Sequence, residues 1–243
     1  MNRREFFQST ALAGGAIIGS QLLANSNTLA ATKGTTPHSG IQAFPRKYEA
    51  KPLPFNPEYL KGLSSKLILS HHDNNYAGAV KNLMKVEAEI AKLNSDSLPF
   101  VWTALKSSEQ TFRNSMVMHE LYFENLGGNG KIHGPVEKLI TSAWGTTSRF
   151  ETEFKASGLG IGGGTGWIVL SLDKRTSQPI ISCLGALNQF AANAVPLLLM
   201  DVYEHAYAID YGAGIKDYIE AFFSNINWEI VNKRLEAPPT MAG

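Results

Sequence analysis

The stretch Met200-Asp201-Val202-Tyr203-Glu204-His205-Ala206-Tyr207 decides how the rest of the chain is interpreted. It follows an apolar run, 195–199, which predicts a buried strand that ends at Asp201. Asp201 and His205 are four residues apart and can converge on one face of a helical turn. A carboxylate beside an imidazole suits manganese, iron or zinc, although a capped helix start with a buried histidine is the commoner arrangement. The pair therefore predicts a metal site only if other histidines join it.

The composition is that of a globular protein that offers no cysteine-built site. The 243 residues are 44% hydrophobic and 18% charged, and the formal net charge is +1. A near-neutral chain does not suggest nucleic acid as a partner. Cys183 is the only cysteine, which excludes an internal disulfide and a zinc or iron–sulfur site built from cysteines. Histidines and carboxylates are therefore the available ligands for a metal ion.

The N-terminus has the pattern of an export signal. Arg3-Arg4-Glu5-Phe6-Phe7 precedes an uncharged stretch, 10–24, and this order resembles a twin-arginine (Tat) signal. Glycines and polar residues interrupt the stretch, so no permanent membrane span is expected. We predict that residues 1–30 are a cleaved signal for the Tat export machinery and that the protein is periplasmic. Residues 31–56, rich in Thr, Gly, Ser and Pro, predict a tether to the fold.

Two predicted helical arms each carry one inward-facing histidine. Apolar residues recur at three- and four-residue steps between 57 and 93, and His71 falls on that apolar face. A second helical run over about 107–126 places His119 on its apolar face, and a glycine-rich segment ends it. Together the two arms predict an antiparallel helical hairpin domain at 57–130.

The second half of the chain predicts helices around a small sheet. The predicted elements are a helix at 135–156, strands at 167–172, 179–183 and 195–200, and short helices at 218–223 and 228–235. The glycine-rich run 158–166 precedes a strand, whereas a phosphate-binding loop follows a strand and opens a helix, so no phosphate site is expected. The predicted fold class is α+β, an N-terminal antiparallel helical hairpin followed by an α/β domain at 131–243 with a small, about three-stranded antiparallel sheet.

The inward-facing side chains now form a candidate metal site. Three imidazoles and one carboxylate can hold a transition metal and leave a position for water or substrate. Zinc, iron and manganese all accept this set, and spacing alone does not separate a structural site from a catalytic one. The four candidates are His71, His119, Asp201 and His205.

From about Leu53 to Leu235 the sequence resembles the iron/manganese superoxide dismutase family. The stretch 201–207 is similar to the family signature Asp-Val-Trp-Glu-His-Ala-Tyr, and the segments 53–55, 71–72, 113–123 and 217–228 also resemble family motifs. The resemblance implies that the four candidates bind one iron or manganese ion per chain, with a solvent molecule as fifth ligand. It also implies superoxide as the substrate, which is disproportionated to dioxygen and hydrogen peroxide. Glu204 implies a homodimer, because in the family this residue pairs across the interface with a ligand histidine.

Several positions around the site depart from the family pattern. The gateway histidine and tyrosine, four and eight residues after the first ligand, are replaced by Asn75 and Ala79. Tyr76 is rotated by roughly 100° per residue from its helix neighbours, so it is not expected to take their place. Further replacements are Thr165 and Tyr203 for tryptophans and Ala208 for a tyrosine.

The glutamine that orients metal-bound water in the family has three candidate positions in this chain. Iron enzymes carry it at the position of Ser115, and a gap-free count of the manganese-type position gives Ala186. An insertion of three residues gives Gln189 instead. We favour Gln189 as this catalytic residue, with Asn75 in place of the gateway histidine. That choice favours manganese slightly over iron.

The altered surroundings also support a second hypothesis. A protein of the same fold could bind the metal yet have lost efficient dismutation, and serve instead in another redox reaction, in metal binding or in a structural role. An intact set of ligands agrees with both hypotheses, so the sequence favours dismutase function without excluding the alternative.

Overall fold

The computed structural model describes residues 45–161 and 164–237. The predicted signal at 1–30 and the first part of the predicted tether, 31–44, lie outside the described residues. Residues 45–56, the rest of that tether, have no helix or strand. Among the described helices, none is both long enough and apolar enough to cross a membrane.

The N-terminal half of the described chain is a helical hairpin. Its elements are a 3-10 turn at Pro57–Tyr59, α1 at Ser65–Ser70, a π-helical turn at His71–Tyr76, α2 at Ala77–Ile90 and α3 at Pro99–Glu124. Ser64 begins the first arm, since its hydroxyl accepts the backbone N–H of Leu67. The helix α3 begins about two turns earlier than predicted. Its first turn contains Phe100, which is 69% exposed, so the core-facing pattern does not extend to that end.

The π-helical turn changes which side chains of the first arm face inward. In a π-helix each N–H bonds to the carbonyl five residues back, so the turn holds an extra residue. His71 and Tyr76, five residues apart, are both buried, whereas Asp73 and Asn74 between them are exposed. The α-helical rotation assumed for Tyr76 does not hold across this turn, and its side chain points into the protein.

The C-terminal half surrounds a three-stranded antiparallel sheet, as predicted. Its elements are α4 at Pro135–Trp144, α5 at Thr147–Gly160, β1 at Trp167–Asp173, β2 at Gln178–Leu184, β3 at Ala194–Asp201, a 3-10 turn at Glu204–Ala206, α6 at Ala208–Tyr211, α7 at Ile215–Ser224 and α8 at Trp228–Glu236. The strand order is β2-β1-β3, and Trp167 of the central strand pairs with Asp201 of β3. Asp201 therefore lies at the end of a buried strand.

The single helix predicted at 135–156 is in fact two helices. Gly145 has a φ of +79°, which ends α4 in a conformation that residues with a Cβ rarely adopt. Thr146 then begins α5, because its hydroxyl accepts the N–H of Arg149.

A buried arginine ties α3 to the sheet. The Arg234 guanidinium, on α8, donates to the carbonyls of Leu121 and Leu197, each at 2.9 Å. Asn125, after α3, donates to the carbonyl of Leu199 on β3, also at 2.9 Å. One hydrophobic core spans both halves of the chain, so these bonds hold the helix that carries His119 beside the strand that carries Asp201. The boundary at residue 130 between two predicted domains stays a prediction. Residues on both sides of it contribute to the same core.

Candidate metal centre

The four predicted ligand side chains converge on one oxygen atom. Asp201 Oδ2 lies 3.2 Å from His71 Nε2, 3.6 Å from His119 Nε2 and 3.1 Å from His205 Nε2. One donor atom from each of the four residues lies within 4.8 Å of all the others. The structure thus brings together every ligand candidate that the sequence predicted.

Each of the four donors comes from a different element. His71 begins the π-helical turn, His119 lies on α3, Asp201 ends β3, and His205 belongs to the following 3-10 turn. Asp201 Oδ1 accepts the N–H of Tyr203 at 2.8 Å, which turns the chain back and leaves Oδ2 free to face the histidines. The carboxylate is therefore held by the turn that delivers His205.

The imidazole nitrogens are oriented toward the centre of the cluster. His119 Nδ1 lies 2.6 Å from the carbonyl oxygen of Ser115, so Nδ1 carries the proton and Nε2 offers a lone pair. Neither His119 Nε2 nor the two ring nitrogens of His71 has a hydrogen-bond partner among the described residues, although all three are buried. The His71–Asp201 distance is short, but its angles are not those of a hydrogen bond. Buried polar atoms left without partners are costly, and a metal ion would satisfy the two Nε2 atoms.

The protonation states suit metal binding. Burial lowers the pKa of His119 to about 3, with a further contribution from nearby His71. Burial also lowers the pKa of His71. Burial alone would raise the pKa of Asp201, but its interactions with His205 and His71 hold that pKa well below the usual range. Neutral imidazoles and an ionised carboxylate are the forms that bind a metal ion, and three nitrogens with one oxygen suit iron or manganese.

Aromatic rings enclose the site on most sides. Trp167 meets the His119 ring edge-on with centroids 5.2 Å apart, and Tyr203 stacks on His205 at 5.4 Å with an interplanar angle of 13°. The side chain of His205 is 29% exposed, whereas that of Asp201 is fully buried. In the single chain, His205 is therefore the most exposed of the four ligand candidates.

The residues proposed to surround the metal ion differ in where the structure places them. Ser115 is buried, and its hydroxyl lies 3.3 Å from His119 Nδ1. Gln189 is exposed, and its side-chain oxygen accepts the N–H of Gly185 at 3.0 Å. Within the described ranges no hydrogen bond joins Gln189 or Asn75 to the four ligand candidates, and Ala186 is half-buried. The structure thus brings Ser115 to the site and leaves Gln189 at the surface.

The sequence did not reveal Lys51 and Glu120 as neighbours of the site, and its helical spacing argued against Tyr76. Tyr76, Glu120 and Lys51 form hydrogen bonds with one another beside His71 and His119. Glu120 directly follows a ligand candidate, which was the one available signal. Tyr76 depends on the π-helical turn, and Lys51 lies in a segment without regular structure, so residue spacing could not reveal either contact.

The fold and this donor set define a protein with a candidate site for a single transition-metal ion. Residues 132–234 match the C-terminal domain of iron/manganese superoxide dismutases. The chain is 40% identical over 191 residues to a protein of Cupriavidus metallidurans named superoxide dismutase [Fe], an alignment that covers 78% of this chain and 97% of the relative. It is 32% identical to a superoxide dismutase [Fe] of Aquifex aeolicus, covering 74% of this chain and 87% of the relative. A superoxide dismutase [Mn/Fe] of Rickettsia bellii is 31% identical, covering 68% and 79%. The chain belongs to the iron/manganese superoxide dismutase family.

Proposed function

We propose that the protein is a superoxide dismutase that converts superoxide to dioxygen and hydrogen peroxide at the His71, His119, Asp201 and His205 site. The convergence of four donor atoms within 4.8 Å is the observation that carries this proposal. When bound, iron or manganese supplies alternate one-electron oxidation and reduction of superoxide.

The chain's own residues prepare this chemistry. The Asp201 carboxylate contributes one negative charge to the site, and the Ser115 carbonyl fixes the tautomer of His119. Trp167 and the other buried rings exclude bulk water from the inner side, whereas His205 borders solvent.

The decisive experiment is an assay of the purified protein with its metals measured. A dismutase is expected to disproportionate superoxide in proportion to its iron or manganese content. The proposal would be overturned if the site were fully occupied by iron or manganese and superoxide still disappeared no faster than it does in buffer alone. That result would favour a metalloprotein of the same fold that has lost dismutation.

The metal in this proposal is iron or manganese. The finer preference for manganese depended on Gln189, whose side chain is exposed and bound to Gly185. Two of the relatives named above carry iron in their names and one carries both metals. Metal analysis of protein made in cells supplied equally with both ions decides this point, and a strong excess of iron would refute the preference for manganese.

A homodimer is part of the proposal. Glu204 is exposed and adjacent to the partly exposed His205, as required for a carboxylate that pairs with a ligand histidine of a second copy. We expect sedimentation to give twice the mass of one chain, and Glu204→Ala to shift the protein toward monomer. Monomer at all concentrations in the unaltered protein would contradict this part.

Export through the Tat machinery to the periplasm completes the proposal. It is supported by the arginine pair at positions 3 and 4 and the uncharged stretch after it. Cell fractionation is expected to find the shortened protein in the periplasm. Replacing both Arg3 and Arg4 by lysine is expected to leave the full-length chain in the cytoplasm, and unchanged export of that variant would exclude the Tat route.

A further inference from the structure

Lys51 makes three contacts with residues that flank the metal ligands. Its backbone N–H donates to Tyr76 Oη at 2.8 Å, and its backbone carbonyl oxygen lies 2.8 Å from His72 Nε2. Its ammonium group lies 2.5 Å from Glu120 Oε2. Tyr76 closes the network by donating to Glu120 Oε1 at 3.0 Å. We call these four residues, Lys51, His72, Tyr76 and Glu120, the Lys51 clamp.

The clamp joins the two helical arms at the height of the metal site. His72 directly follows one ligand candidate, His71, and Glu120 directly follows another, His119. The Tyr76 ring packs beside the His119 ring, with centroids 6.4 Å apart and an interplanar angle of 31°. Because the π-helical turn directs Tyr76 inward, its hydroxyl crosses from the first arm to α3.

The bond between Tyr76 and Glu120 is well placed to hold the arms in one geometry. Tyr76 is 1% exposed, and burial together with the Glu120 carboxylate raises the pKa of its phenol, so the hydroxyl remains a donor. The Glu120 side chain is 16% exposed. Hydrogen bonds from a neutral donor to a carboxylate are about twice as strong as neutral ones, and this one is largely shielded from water.

We propose that the Tyr76 hydroxyl and the Glu120 carboxylate position His71 and His119 for the metal ion, by fixing the first arm against α3. Both act through the ligands rather than on the substrate, so they are positioning residues. This inference rests on the metal site of the proposed function and does not depend on dismutation.

The first test removes the hydroxyl with Tyr76→Phe and uses cobalt(II) as the probe metal. Loss of a residue that orients metal ligands costs roughly 10–100-fold in affinity, so we expect cobalt to pass to a chelator correspondingly faster. The visible absorption spectrum of the cobalt protein is also expected to change, because the ligand geometry relaxes.

Tyr48→Phe is the matched control. The Tyr48 hydroxyl also links the segment before α1 to the hairpin, since it donates to Glu87 at 3.0 Å and accepts from Arg113 at 2.9 Å. Neither partner is a ligand candidate or next to one in sequence. This variant is expected to lose thermal stability to a degree similar to Tyr76→Phe, while cobalt release stays within about twofold of wild type and the spectrum is unchanged.

Two substitutions at Glu120 separate the loss of its hydrogen bond with Tyr76 from the loss of its ion pair with Lys51. Glu120→Gln keeps an oxygen that can accept from Tyr76 and removes only the ion pair with Lys51, whereas Glu120→Ala removes both. Because exposed ion pairs contribute about 0–1 kcal/mol, Glu120→Gln is expected to release cobalt within about fivefold of wild type. Glu120→Ala is expected to match Tyr76→Phe, and this pair decides the question if Tyr76→Phe does not fold.

If the wild-type protein binds cobalt, two results would overturn the inference. One is wild-type cobalt release and an unchanged spectrum in both Tyr76→Phe and Glu120→Ala. The other is an equal effect of Tyr48→Phe, which would mean that only general stability changed. A wild-type protein that holds no cobalt, iron or manganese would refute the metal site itself, and the positioning role with it.

Discussion

Asp201 lies at the centre of the candidate metal site. Its Oδ2 faces three imidazoles, its Oδ1 is held by the N–H of Tyr203, and its own backbone carbonyl accepts the hydroxyl of Tyr218 at 2.6 Å. Both carboxylate oxygens and the backbone carbonyl of this buried residue thus face partners. A buried carboxylate whose oxygens all have partners is held rigidly, which suits a metal ligand.

The ligand assignment makes a direct prediction about metal content. His119→Ala removes one of four donors, so the purified variant is expected to retain less than roughly a tenth of the wild-type iron or manganese. The control is His133→Ala, because His133 is an exposed histidine whose loss should leave metal content unchanged. Equal metal content in wild type and His119→Ala, measured by mass spectrometry, would show that the assignment is wrong.

The buried imidazoles predict how the metal-free protein responds to acid. The pKa of His119 is about 3 when folded against about 6.5 when unfolded, so the unfolded chain binds more protons between these values. Stability is therefore expected to fall as pH decreases from about 6.5 to about 3. The lowered pKa of Asp201 acts in the same direction below about 4, where the unfolded carboxyl takes up a proton.

Urea unfolding of the metal-free protein at a series of pH values measures this dependence. His119→Gln is the informative comparison, since it removes the titrating group and should flatten the slope between pH 6 and about 4. A steeper slope in the variant, or none in the wild type, would contradict the predicted protonation state.

At the scale of elements, the break between α4 and α5 gives a clean test of backbone conformation. Gly145 has a φ of +79°, and a Cβ at this position would meet no atom within 4 Å. Gly145→Ala is therefore expected to destabilise the protein by about 1–2 kcal/mol through the backbone alone.

Gly160→Ala serves as the matched control for that substitution. Gly160 is the last residue of α5, has no positive φ and is equally free of neighbours within 4 Å. Alanine there is expected to be neutral or to stabilise slightly, because it favours the helix. Equal unfolding midpoints for the two variants in urea would remove the conformational argument.

The elements show which structural features a sequence pattern can predict. The β3 strand was predicted to within a residue or two, because an apolar run bounded by polar residues marks a buried strand. The start of α3 was missed because its first turn is exposed and carries no core-facing pattern. The sequence does not reveal the π-helical turn, because the inserted residue leaves the apolar spacing unchanged on either side. For the same reason it does not predict that Tyr76 is buried.

In the site, too, the sequence predicts the residues that an apolar pattern marks and does not predict the others. Its four ligand candidates lie on apolar faces or follow a buried run, so the sequence predicted them and their convergence. The surrounding residues are set by tertiary contacts between distant segments, such as Lys51 with Glu120. Gln189 shows the limit most clearly, because an alignment argument favoured it and its loop conformation directs it to Gly185.

For the whole molecule, Arg234 links three layers and predicts a large loss of stability. It is 5% exposed and satisfies carbonyls on α3 and β3 from its place on α8. Arg234→Met leaves these buried carbonyls without a donor, so we expect a loss of about 3–5 kcal/mol in the free energy of unfolding. Urea denaturation measures it.

Lys233→Met is the control for the linking arginine. Lys233 is exposed on the same helix, and its replacement is expected to change stability by no more than about 0.5 kcal/mol. If both variants unfold at the same urea concentration, the buried arginine does not hold the layers together.

The wide spacing of the four donors along the chain has a consequence for biosynthesis. They extend from residue 71 to residue 205, so Asp201 and His205 leave the ribosome well after His71 and His119. A nascent chain that ends before β3 holds only two of the four ligand candidates, His71 and His119, and lacks the carboxylate that they face. Closing so long a loop is entropically costly until the sheet forms. The four-residue site can therefore be complete only after β3 and the turn that follows it have been synthesised.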